Sequence, residues 1–151
     1  MHTQTPPDLS TIVELFQHGV GCAQIVTGEF SEETGLSRQQ LRKLGGAFDG
    51  GMGRGESCGA VIGALAVLGL VYGHSDVDEG KQKALLMEKS RKFQEKFCET
   101  YSSCLCRQIL GYDLSKDEEA AIIFEKGLLF QLCPRVVSDS IAILKEILEE
   151  P

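Results

Sequence analysis

Apolar positions recur at intervals of three and four residues along most of the chain, and no segment alternates regularly between apolar and polar residues. The first spacing is that of one face of an α-helix, whereas regular alternation is typical of a half-buried strand. The pattern therefore predicts an all-α protein, a compact bundle of about six helices. It also predicts a single helical domain over residues 1–151, with residues 1–8 as a flexible N-terminus.

The first predicted helix runs from about residue 8 or 10 to about residue 27, with Ser10 as its N-cap. Serine favours this position because its hydroxyl accepts a hydrogen bond from a free backbone N–H of the first turn. Cys22 falls at the edge of the apolar face of this helix. A second helix is predicted over residues 37–48, again starting from a serine, Ser37.

A central helix is predicted over about residues 57–73, with Ser57 as its N-cap and Cys58 in its first turn. This segment is apolar on nearly every side, which is typical of a helix buried at the centre of a bundle. Small residues recur along it at helical spacing, among them Gly59 and Gly63. They would allow a neighbouring helix or a cofactor to approach the backbone closely.

Further helices are predicted downstream. A long one covers about residues 78–101, and a short one ends at Gly111. Ser115 and Glu118 match a capping box, the pattern in which two side chains satisfy free N–H groups at a helix start. Pro134 predicts the start of the last helix, because proline suits the first helical turn.

Charge and hydropathy exclude several classes of partner. The formal net charge is −7 and no basic stripe is present, whereas nucleic-acid binding needs one. The longest apolar run, residues 61–72, is too short to span a bilayer, and the N-terminus lacks the pattern of a secretory signal. We therefore expect no nucleic-acid or membrane partner and a cytoplasmic location. A homodimer is expected only from the general frequency of such assemblies.

Six cysteines are many for a cytoplasmic chain of this length, and none belongs to a CxxC pair. Disulfides are not expected in a reducing compartment, so the thiols either fill the core or form a site. Three of them fall at predicted helix N-termini, where free N–H groups favour the thiolate: Cys58, Cys106 and Cys133. Each has an arginine nearby, Arg54, Arg107 and Arg135, whose negative partner could be a thiolate or a surface carboxylate.

The residues CGAVIG at 58–63 read CGAxxG, with a glycine-rich segment before them and GCAQ at 21–24 upstream. Downstream lie CRQILG at 106–111 and Cys133-Pro134. This order of motifs resembles the C_GCAxxG_C_C family of redox-active proteins. The resemblance implies that the characteristic cysteines are Cys22, Cys58, Cys106 and Cys133, with Cys98 and Cys104 as extras.

The same family is similar to the iron–sulfur part of split-Soret cytochromes c, which implies a [2Fe–2S] cluster held by those four cysteines. The chain has no CxxCH, so the similarity does not extend to haem. The glycine-rich segment lacks the lysine and spacing of a P-loop. We expect Gly53, Gly55, Gly59 and Arg107 to contact the cofactor; the alternative for the loop is a tight turn between helices.

The sequence thus predicts a redox-active protein whose four-cysteine site serves electron transfer with an unknown redox partner protein. Either the site holds a [2Fe–2S] cluster, which the scattered cysteines favour, or two thiols cycle between dithiol and disulfide. It would be an electron-transfer protein associated with an oxidoreductase. The alternative is a non-catalytic helical module that acts in partner binding, with structural zinc or no metal and cysteines that fill the core.

Overall fold

The computed structural model describes residues 6–151 as an all-α protein, which confirms the predicted fold class. Within that range, six helices have eight or more residues, close to the predicted number: α1 (Leu9–Gln17), α4 (Arg38–Gly45), α5 (Gly59–Tyr72), α6 (Gly80–Tyr101), α8 (Asp117–Glu125) and α10 (Cys133–Glu149). Four shorter helices complete the described chain: α2 (Cys22–Gly28), α3 (Ser31–Thr34), α7 (Cys106–Leu110) and α9 (Leu128–Gln131).

The apolar helix α5 lies at the centre of the bundle, as predicted, and contacts α2, α6 and α10. Its residues Val61, Ala64 and Leu68 belong to the main core together with apolar side chains of those three helices. Its N-cap is Cys58, one residue later than the predicted Ser57. Burial on all sides explains why this helix shows no polar face.

Close packing of α5 against α2 depends on Gly63. A Cβ atom at this position would lie 3.0 Å from the carbonyl oxygen of Ala23 and 3.2 Å from its Cα atom. A Cβ atom on Gly45 of α4 would likewise lie 3.0 Å from the carbonyl carbon of Ala23. Helix α2 is therefore held between two neighbours that approach its backbone directly.

The prediction of a single first helix that runs to about residue 27 is wrong. The helix ends after Gln17, and Gly19 adopts a left-handed conformation with φ +83°, which interrupts the helical path. A new helix, α2, then starts at Cys22 with Gly21 as its N-cap. As a result, Cys22 is the first residue of a helix instead of a residue within one.

Two predicted caps are also wrong, because each serine hydroxyl donates to a nearby aspartate instead of capping its helix. The carboxylate of Asp8 caps α1 by accepting a hydrogen bond from the backbone N–H of Thr11 at 2.8 Å, and the Ser10 hydroxyl donates to the same carboxylate. Before α8, the Ser115 hydroxyl donates to Asp113 at 2.6 Å instead of capping the helix.

The other predicted boundaries agree more closely with the structure. The Ser37 hydroxyl accepts a hydrogen bond from the N–H of Gln40 at 3.1 Å, so the predicted cap of α4 is confirmed. Pro134 lies in the first turn of α10. The predicted flexibility of residues 1–8 falls mainly on residues 1–5, outside the described residues; residues 6–8 precede α1 without regular structure.

The glycine-rich segment forms a tight connection before α5, which we call the glycine loop, residues 50–55. Gly51 shows why glycine is needed: its φ is +63°, and a Cβ atom there would clash with the backbone of Glu56 and lie 2.9 Å from the Cβ atom of Cys106. The loop therefore brings the chain close to the start of α7.

Between residues 6 and 151, no single helix is both long and apolar enough to cross a bilayer. Only the bent pair Asp117–Glu125 and Leu128–Glu149 reaches that length and hydropathy when the two are taken together.

The packing at Gly63 gives a first prediction. We expect Gly63→Leu to lower the free energy of unfolding by about 2–3 kcal/mol, because the larger side chain must push α2 away from α5. Thermal unfolding followed by circular dichroism measures this effect. The matched control is Gly69→Ala in the same helix, where nothing lies within 4 Å of the added methyl group. That variant should gain about 0.5–1 kcal/mol. A Gly63→Leu protein with unchanged stability would contradict the packing described here.

Candidate functional site

Four cysteines line one cavity of about 380 Å³ between the helices: Cys22, Cys58, Cys106 and Cys133. Each lies at the start of a helix. Cys22, Cys106 and Cys133 are the first residues of α2, α7 and α10, and Cys58 is the N-cap of α5. The helix-start positions predicted for Cys58, Cys106 and Cys133 are confirmed to within one residue. Segments far apart in sequence thus contribute sulfur atoms to the same space.

A short antiparallel bridge holds Cys58 and Cys106 side by side. The backbone N–H of Cys58 donates to the carbonyl of Cys104 at 2.7 Å, and the N–H of Cys106 donates to the carbonyl of Glu56 at 2.6 Å. The two hydrogen bonds fix the start of α5 against the start of α7. The relative position of these two cysteines is therefore set by the backbone.

Cys22 lies against Gly59, the first residue of α5. A Cβ atom on Gly59 would overlap the Sγ atom of Cys22 and would lie 3.0 Å from the carbonyl oxygen of Phe48. The second residue of the CGAxxG pattern is therefore a glycine because the Cys22 sulfur occupies the space of its side chain. The last glycine of the pattern, Gly63, brings α2 and α5 together one turn further on.

Asp49 is a part of the site that sequence analysis missed. Its Oδ1 atom accepts a hydrogen bond from the N–H of Ala23 at 3.1 Å and lies 3.6 Å from the Sγ atom of Cys22. Its carboxylate also occupies the space beside Gly21 that a side chain there would need. Burial raises the pKa of Asp49. In the sequence, an aspartate before a run of glycines indicates only a turn.

Apart from Asp49, the cavity walls are formed by backbone and by apolar side chains: Phe16, Val20, Ile109, Leu110, Leu114, Leu129 and Val136. Within the described part of the chain, no lysine or arginine is among the lining residues. The four sulfur atoms thus have few charged side chains around them, and electrostatic interactions in the cavity are weakly screened.

Burial raises the pKa of all four thiols, to about 12 for Cys106 and Cys133. Proximity to Cys58 raises the pKa of these two further. For Cys58 itself, hydrogen bonds from the N–H groups of Ala60 and Val61 oppose the effect of burial without cancelling it. The prediction that these helix starts lower the pKa of the thiols is therefore wrong, because the pKa is raised. Removal of the thiolate from water costs more than hydrogen bonds from backbone N–H groups recover.

The residues expected to contact a cofactor fall into two groups. Gly53 and Gly59 line the cavity, whereas Gly55 and Arg107 do not. The Arg107 guanidinium donates to the carbonyl of Gly55 at 3.2 Å and pairs with the carboxylate of Glu56 at 3.2 Å. The negative partner of Arg107 is thus a carboxylate and not a thiolate, the two alternatives that the sequence left open. Through its hydrogen bond to Gly55, Arg107 supports the glycine loop. Cofactor contact by these four residues stays a prediction.

The two additional cysteines, Cys98 and Cys104, lie outside this cavity. Their Sγ atoms are 3.3 Å apart, and both are half-buried. They line a different surface groove, which shares no residue with the four-cysteine cavity. The structure thus divides the six cysteines into a group of four and a pair.

Comparison with known proteins identifies the family to which the chain belongs. The sequence profile of the family described as "putative redox-active protein (C_GCAxxG_C_C)" matches residues 20–147 of the 151-residue chain. No curated protein and no solved structure gives a significant match. The matched range contains all four cavity cysteines and the CGAxxG pattern of the α5 start. The chain therefore belongs to the C_GCAxxG_C_C family of redox-active proteins.

Proposed function

We propose that Cys22, Cys58, Cys106 and Cys133 bind a [2Fe–2S] cluster and that the protein transfers single electrons. The observation that carries this proposal is the convergence of these four cysteines on one apolar-walled cavity. Four thiolates are the usual ligand set of such a cluster, which supplies reversible one-electron chemistry when bound. The similarity of the family to the iron–sulfur part of split-Soret cytochromes c points in the same direction.

Backbone N–H groups would stabilise the negative charge of bound thiolates. Ala60 and Val61 donate to the sulfur of Cys58, and Gly50 of the glycine loop donates to the sulfur of Cys22. The N-terminus of the 14-residue helix α5 adds partial positive charge at the same place. These fixed dipoles suit an anionic centre in a cavity that has no cationic side chain among its described lining residues.

The raised thiol pKa values favour a metal centre over thiol–disulfide exchange in this cavity. A thiol whose pKa is about 12, like that of Cys133, contains very little thiolate at neutral pH and is a poor nucleophile. Bound iron would supply the positive charge that replaces the four protons. The same burial that disfavours free thiolates would then exclude water from the centre.

The separation of the thiols favours a cluster over a single zinc ion. Zinc requires all four sulfur atoms at about 2.3 Å from one point. Among residues 6–151, no group of three or more Cys, His, Asp or Glu residues is arranged to bind one ion. A cluster distributes its ligands over two iron atoms, so four thiols that line a cavity of about 380 Å³ suit it better.

Electron exchange with a redox partner protein is expected at the glycine loop. Gly53 lines the cavity and is also exposed, so it connects the proposed centre with the surface. Next to it, Met52 is 45% exposed and provides an apolar contact. A partner that docks on this loop would come close to the four sulfur atoms without entering the core.

The proposal predicts that anaerobically purified protein contains about two iron atoms and about two sulfide ions per chain, and that it absorbs visible light. Metal and acid-labile sulfide analysis measures the first, and absorption spectroscopy the second. Cys58→Ser should lose most of the iron, because it removes one cavity ligand. The matched control is Cys98→Ser, which replaces a half-buried cysteine outside the cavity and should retain the iron.

Other metal contents would contradict the cluster. One zinc ion per chain that disappears in Cys58→Ser would indicate a structural zinc site instead. Protein without iron or zinc, stable in the presence of a chelator, would indicate the non-catalytic helical module whose cysteines fill the core.

The packing at Gly59 gives a further prediction. Gly59→Ala keeps all four cysteines but places a methyl group where the Sγ atom of Cys22 lies. We expect iron content to fall by more than half, because Cys22 must leave its position. Gly69→Ala, in the same helix but with free space around the added methyl group, serves as the control and should retain the iron. Equal iron contents in the two variants would show that Cys22 need not occupy this position.

A further inference from the structure

The pair Cys98 and Cys104 is separate from the site described above. Cys98 lies in the last turn of α6, and the chain reverses at Ser102, a non-glycine residue in the left-handed conformation with φ +62°. This reversal returns Cys104 to the side of the helix it has just left, and the two Sγ atoms come within 3.3 Å. A backbone conformation that L-residues rarely adopt thus accompanies the contact between two thiols.

The backbone around Cys104 is anchored. Its carbonyl accepts the hydrogen bond from the N–H of Cys58, which belongs to the bridge between α5 and α7. A bond between the two sulfur atoms would be about 2.05 Å long, so they need to approach by little more than 1 Å. Rotation of the two side chains can supply this movement while the backbone stays in place.

The pair is accessible from solvent. Both cysteines are half-buried and line an open groove of about 470 Å³ along α6. The other lining residues combine a cation, a carboxylate, an amide, a hydroxyl and a thioether: Arg91, Glu95, Gln94, Ser90 and Met87. A groove lined by a guanidinium and a carboxylate suits a small molecule that carries both positive and negative groups.

We propose that Cys98 and Cys104 form a dithiol–disulfide couple that exchanges with the disulfide of a small, zwitterionic, peptide-like thiol bound in this groove. This activity involves two electrons and a different pair of residues from the proposed iron–sulfur centre, so neither proposal depends on the other.

The exchange proceeds in two steps. Burial and the neighbouring Cys98 raise the pKa of Cys104 to about 12, so Cys98 is the attacking residue. Its thiolate attacks a sulfur atom of the small disulfide, which releases one molecule of small thiol and leaves a mixed disulfide on Cys98. The hydrogen bond and charge of the Cys98 thiol then no longer raise the pKa of Cys104, whose thiolate attacks the Cys98 sulfur and releases the second molecule of small thiol. Overall, two protein thiols are oxidised to one disulfide, the small disulfide is reduced to two thiols, and the two protons pass to the released thiols.

The test uses the full chain and glutathione disulfide as the probe. Anaerobic incubation should convert Cys98 and Cys104 to a disulfide, with release of two molecules of glutathione per chain. Peptide mapping by mass spectrometry identifies the linked residues. The ratio of disulfide to dithiol should follow the ratio of oxidised to reduced glutathione, which is the behaviour of a reversible couple.

Single variants separate exchange from nonspecific oxidation. Cys98→Ser and Cys104→Ser each remove one partner, so the remaining cysteine should stop at the mixed disulfide in at least one of them. Gly69→Ala, which lies outside both sites and has free space around the added methyl group, should form the Cys98–Cys104 disulfide like the unaltered chain. Should either pair variant fail to fold, peptide mapping of the unaltered chain still decides the matter.

A pair that stays reduced at high glutathione disulfide, or a disulfide that links cavity cysteines instead, would overturn the proposal. Oxidation by molecular oxygen or by a non-peptide disulfide alone would also overturn it, because the groove would then have no role. These results leave the iron content untouched and so are distinguishable from failure of the iron–sulfur proposal.

Discussion

The close contact between α2 and α5 is the constraint on which the four-cysteine cavity depends. Without side chains at Gly59 and Gly63, the two helices approach until Ala23 touches the backbone of α5, and the Cys22 sulfur fills the space beside Gly59. A methyl group on Gly59 would overlap the Cys22 sulfur and displace it from its position next to the start of α5. The glycines of the CGAxxG pattern are thus packing residues that determine where a sulfur atom lies.

The remaining cysteines are positioned by backbone geometry. The antiparallel bridge fixes Cys106 next to Cys58, and the proline after Cys133 places that residue at the start of α10. Because the sulfur positions follow from helix starts and main-chain hydrogen bonds, they do not rely on flexible side chains. Such rigidity suits an electron-transfer centre, in which small structural change between redox states is an advantage.

Much of this arrangement could be predicted from local patterns. The all-α class, the central apolar helix and three of the four helix-start cysteines follow from periodicity, capping residues and proline. The position of Cys22 could not be predicted in this way, because the apolar periodicity continues through Gly19, where the helix breaks. Asp49 and the Cys98–Cys104 pair were missed because each depends on a chain reversal. Such a reversal brings together residues that helical periodicity does not relate.

We propose that the cavity holds a one-electron centre, and a reductive titration can count its electrons. The titration uses anaerobically purified Cys98→Ser protein, because this variant cannot form the Cys98–Cys104 disulfide. We expect uptake of about one electron per chain, with a parallel loss of visible absorption. Uptake of two electrons without any change in visible absorption would indicate a disulfide among the cavity cysteines, and would contradict it.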